Sequence, residues 1–60
     1  MPVIEVKMWE GRDDKLKAKI IKDITDVFVS IGVPASAVTI ILSEYPKKNW
    51  GEGGKPASII

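Results

Sequence analysis

AVTIILSEY, residues 37–45, places apolar side chains on both sides of an extended chain: Val38, Ile40 and Leu42 on one, Ala37, Ile41 and Tyr45 on the other. A strand written this way is covered above and below, as strands of parallel sheets are. Upstream, VIEVKMW at residues 3–9 alternates Ile4, Val6 and Met8 with Glu5, Lys7 and Trp9, the period of a strand with one face on a core. Between them the period changes. Leu16, Ile20, Ile24, Val27, Phe28 and Ile31 recur at spacings of three and four, with Lys15, Lys19, Lys22 and Asp26 on another side. Asp13 is placed to cap this helix, Asp14 favours its first turn, Gly32 stops it and Pro34 seals the stop.

Strand, helix, strand in so short a span predicts a parallel pair joined by a right-handed crossover. The fold class is therefore α+β, one β-α-β unit with a single amphipathic helix, and residues 1–60 read as one domain. The helix can cover only one face of the pair. The other, with Val3, Ile41 and Tyr45, needs a second subunit. The last stretch, PKKNWGEGGKPASII at 46–60, has turn formers and no helical period. It predicts a short hairpin arm, ending in Ile59 and Ile60, that reaches a neighbour.

Sixty residues hold nine bases, eight acids, no cysteine and no histidine. A chain of this size buries only about 60% of its unfolded surface. Disulfides and the common metal ligands are missing as remedies, which leaves assembly. A net charge of +1 supplies no field for nucleic acid or an anionic membrane, so neither partner is expected. Charges interrupt every apolar stretch well short of the ~18 residues of a spanning helix, and Glu5 and Lys7 sit where a signal peptide is apolar. The expected location is cytoplasmic.

Few residues point to chemistry. GEGG at 51–54 lacks the lysine–serine pair of a phosphate loop and reads as a turn. The helix lysines are interleaved with Asp13, Asp14, Asp23 and Asp26, which makes a solvated face. Arg12 stands apart as the one arginine beside eight lysines. Its fork suits a carboxylate, and it lies at the end of the first strand, where parallel sheets bind ligands; a surface ion pair with Glu10 or a helix acid is the competing reading. Pro2 also has two readings. Proline is tolerated at the start of a strand. If Met1 is removed, however, Pro2 becomes a rigid secondary amine. An α-amino group titrates near about 7.7 to 8.0 and is pushed toward its neutral form by burial or a nearby cation, which makes a general base for proton transfer α to a carbonyl.

The Met–Pro start, EGRDD at 10–14, the single helix, the apolar second strand and PKKNWGEGG at 46–54 together resemble the 4-oxalocrotonate tautomerase family nearly end to end. The resemblance implies a β-α-β protomer with a C-terminal hairpin, dimers, and a homo-hexamer built as a trimer of dimers. It implies a cofactor-independent isomerase that ketonises small 2-hydroxydienoate or enolpyruvate acids, with Pro2 as general base once Met1 is gone. Arg12 matches the family arginine that binds a substrate carboxylate, and Trp50 the aromatic position, usually phenylalanine, that lines the pocket. Thr39 departs from the pattern, standing where well-known members carry a second arginine. A hydroxyl there holds a diacid less firmly, with Lys47 or Lys48 as possible substitutes. The alternative implied by the same scaffold is a non-catalytic or partner subunit of a mixed hexamer.

Overall fold

The structure is a computed structural model and describes residues 1–59. Ile60, assigned above to the C-terminal arm, lies outside the described residues. Strand β1 (Val3–Trp9) leads through Glu10 to Asp13 into helix α1 (Asp14–Ser30), and the chain returns as β2 (Thr39–Tyr45). β1 and β2 run parallel in a register from Val3 opposite Thr39 to Trp9 opposite Tyr45. Backbone hydrogen bonds extend the ladder at both ends. Thr39 N–H donates to the Pro2 carbonyl at 3.0 Å, and Glu10 N–H to the Tyr45 carbonyl at 2.9 Å.

The helix begins where Asp13 Oδ1 accepts the N–H of Leu16 at 2.9 Å, as the capping pattern predicts. It ends in a Schellman arrangement. Gly32, at φ +101°, donates to Val29 and Val33 donates to Phe28, which satisfies carbonyls the last turn leaves open. Lys19–Asp23 and Lys22–Asp26 pair along the outer face at a spacing of four, so the helix charges are the solvated face expected. Lys17 crosses from α1 to Glu44 of β2 at 2.6 Å. Glu44 shares its strand face with Ile40 and Leu42, so this is the face α1 covers, together with their register partners Ile4, Val6 and Met8.

Three details differ from the sequence reading. Ala37 lies in a 3₁₀ turn, Ala35–Ala37, because its N–H donates to the Pro34 carbonyl; β2 therefore starts two residues later, at Thr39. The half-buried stripe of α1 is Ile20, Ile24 and Phe28, one turn apart, whereas Leu16, Val27 and Ile31 stay exposed, Ile31 at 72%. Tyr45 is not left open on the far sheet face, because Trp50 of the same chain packs edge-on to it, with centroids 6.3 Å apart.

The remaining far face is open as expected, with Val3 58% and Ile41 45% exposed. Among the described residues only Ala57 is buried, so one chain encloses almost no core of its own. The arm is a hairpin of β3 (Gly51–Glu52) and β4 (Lys55–Pro56). Gly53 and Gly54 both have positive φ, the requirement of a two-residue primed turn, which glycine meets without strain. Among the described residues no helix is long and apolar enough to cross a membrane.

Candidate functional site

Pro2 is half-buried at the start of the parallel pair. Its carbonyl is fixed by the Thr39 N–H, so these two candidates are neighbours on adjacent strands. In the chain as written, the Pro2 nitrogen is an amide bonded to Met1. The amine that would act as a base exists only after Met1 is removed.

Arg12 and Trp50 gather at the other end of the sheet, and Trp9 joins them. The last residue of β1, Trp9 accepts a hydrogen bond on its carbonyl from Arg12 Nη1 at 3.1 Å. Its ring meets Trp50 edge to face, with centroids 5.9 Å apart and planes at 78°. The Trp50 indole N–H donates to Glu52 Oε2 at 3.0 Å, which ties the ring to the hairpin. Lys47 Nζ stands 4.7 Å above the Trp9 ring. The expected alternative for Arg12, an ion pair with Glu10 or a helix acid, is not formed among the described residues. A cavity of about 260 Å³ opens beside this cluster, lined by Lys7, Tyr45, Asn49, Trp50 and Gly51.

One chain thus brings the four candidates together as two pairs. Pro2 and Thr39 stand at one end of β1, Arg12 and Trp50 at the other. Pro2 to Trp9 is seven steps of extended chain, about 23 Å at ~3.3 Å per residue. Sequence periodicity does not single out Trp9, because period two marks it only as an outward strand position. The available signal was a tryptophan on an open face, since so large an apolar side chain is seldom left without a partner. No group of three or more carboxylate, histidine or cysteine side chains gathers among the described residues to hold a metal.

The family model described as "Tautomerase enzyme" matches residues 2–58, nearly the whole chain, and its match starts at Pro2. This chain belongs to the tautomerase family. As a tautomerase it is an isomerase of the keto–enol type, similar to a 2-hydroxymuconate tautomerase of Pseudomonas putida with 36% identity over all of this chain and 97% of the relative. Among solved structures, the tautomerase resembles an apo unfused 4-OT at a TM-score of 0.92, with 28% identity and full coverage of both chains. A heterohexameric 4-oxalocrotonate tautomerase from Chloroflexus aurantiacus superposes at a TM-score of 0.87, with 27% identity over 97% of this chain and 95% of that one. The parallel pair, single helix and terminal hairpin of the tautomerase are thus the family's architecture.

Proposed function

We propose that this tautomerase ketonises small 2-hydroxydienoate or enolpyruvate acids without a cofactor, using the amine of Pro2 after Met1 is lost. The observation that carries the proposal is the pinning of Pro2. With its carbonyl held by Thr39 and its ring closed on its own nitrogen, the amine is kept at the start of the strand with little freedom to lose on binding a substrate. The amine accepts the proton of the enol hydroxyl, the carbon–oxygen bond becomes a carbonyl, and the ammonium returns the proton to a carbon of the diene. The product is an isomer of the substrate, so no co-reactant is consumed. Arg12 binds the carboxylate and draws charge toward it as the proton moves. Trp50 makes the wall that keeps water from the amine and so favours its neutral form.

No small acid spans the distance between Pro2 and Arg12 of one chain. The amine of one protomer therefore works with Arg12 and Trp50 of another. The apolar faces left open by a single chain support assembly, which we read as a homo-hexamer built as a trimer of dimers from one domain of residues 1–60, and the expected location is the cytoplasm. Intact mass spectrometry of the chain made in cells should show loss of Met1, and the processed protein should ketonise phenylenolpyruvate. Equal activity with Met1 retained removes Pro2 from the mechanism. Pro2→Ala leaves a primary amine and should weaken turnover while the assembly persists.

A further inference from the structure

We propose that Lys47, held on the ring of Trp9, is a second cation for the substrate carboxylate and acts beside Arg12. The inference rests on the reading of Arg12 as the carboxylate-binding residue and adds a specificity-determining partner to it. Both cations are tethered to one residue, Arg12 through the Trp9 carbonyl at 3.1 Å and Lys47 over the Trp9 ring at 4.7 Å. Neither pairs with a carboxylate among the described residues. Glu52, an acid of the adjacent hairpin, is engaged by the Trp50 indole instead. Two cations anchored on one residue, neither with an acid partner, leave an anion free to take their hydrogen bonds.

The ring also does for Lys47 what its own stem cannot. A lysine loses several rotatable bonds when it is fixed on a ligand, and one already resting on an aromatic face has lost part of that freedom beforehand. At the opposite end of the sheet, Thr39 offers no charge, so the grip on an acid falls on the Trp9 end. The adjoining cavity is walled by Trp50 and Tyr45, which suits a flat unsaturated chain ending in a carboxylate. Trp9 is the positioning residue of this arrangement, and Lys47 is the residue that meets the ligand.

The probes are hexa-2,4-dienoate and its neutral amide, which share shape and differ in charge. Their affinities for the processed, assembled protein are read from quenching of the tryptophan fluorescence. Lys47→Met should weaken the carboxylate about fivefold, the upper end for an exposed ion pair, and leave the amide within about twofold; Lys47→Arg should restore the carboxylate. In a Trp9→Leu background with unchanged circular dichroism, the same Lys47 substitution should cost less than about twofold, because the ammonium has lost its seat. Equal losses for acid and amide, or none for either, overturn the role of Lys47, and a full loss in the Trp9→Leu background overturns that of Trp9. Arg12→Ala separates the two levels. If it lowers the acid-to-amide preference and Lys47→Met does not, only the second cation is wrong; if neither does, the carboxylate reading fails with it.

Discussion

The Pro2 carbonyl accepts the Thr39 N–H at 3.0 Å, which sets Pro2 beside the position where an expected arginine is replaced by a hydroxyl. A diacid whose carboxylate comes to this end must shed water without meeting a charge. Thr39→Arg should therefore raise kcat/KM for 2-hydroxymuconate relative to phenylenolpyruvate, and the gain should shrink as salt screens the contact. Steady-state kinetics on protein that sediments like the unaltered assembly checks this. An unchanged ratio means that position 39 does not face the substrate.

Among the described residues Arg12 makes one side-chain hydrogen bond, to a backbone carbonyl, and no ion pair, so removing it should leave stability nearly intact. Its loss should fall on catalysis. Hydrogen bonds to a charged group contribute about 1.5 to 3 kcal/mol, so Arg12→Ala should lower kcat/KM by about tenfold to a hundredfold. Unchanged efficiency with a lowered melting temperature would return Arg12 to a structural role.

Ile41 stands on the sheet face that α1 does not cover. Ile41→Asp should dissociate and unfold the protein in one transition, because an unpaired charge is costly in a closed interface and the single chain encloses little core. Sedimentation and circular dichroism over a range of concentrations would detect this. A folded, monomeric Ile41→Asp protein would contradict the assembly.

Lys17 titrates above the ordinary lysine value of 10.5, chiefly through its hydrogen bond to Glu44, with partial burial opposing and the Glu44 charge assisting. The folded value exceeds the unfolded one. The pair's stabilisation is then fully present below the unfolded value and is lost as pH rises through the folded one. Thermal unfolding followed over about pH 9 to 12 should show Glu44→Gln losing less stability than the unaltered protein. Parallel curves for the two proteins would mean that the pair contributes nothing.

Wherever backbone chemistry decides structure, the sequence was a sufficient guide. Asp13 caps, Gly32 stops, the two strands pair in parallel, and Gly53–Gly54 turns the arm, each because one residue type meets one local requirement. The errors lie where the answer depends on what sits across from a residue. Helical spacing alone could not separate Ile20 and Ile24 from Leu16 and Val27, since all fit an apolar stripe and only the sheet selects among them. The same limit hid Trp9. Its contacts come from Arg12, three positions on, and from Lys47 and Trp50 at the far end of the chain, and no periodicity encodes them.

The separation of Pro2 from Arg12 along β1 has a genetic consequence. Under the proposed mechanism, a chain that loses the Pro2 amine still carries its Arg12 end, and a chain that loses Arg12 still carries its amine. Two alleles, each impaired when expressed alone, should therefore complement each other when produced together, since some of the sites in their mixed assemblies draw both intact halves. Lesions placed at the same end of β1 should never do so.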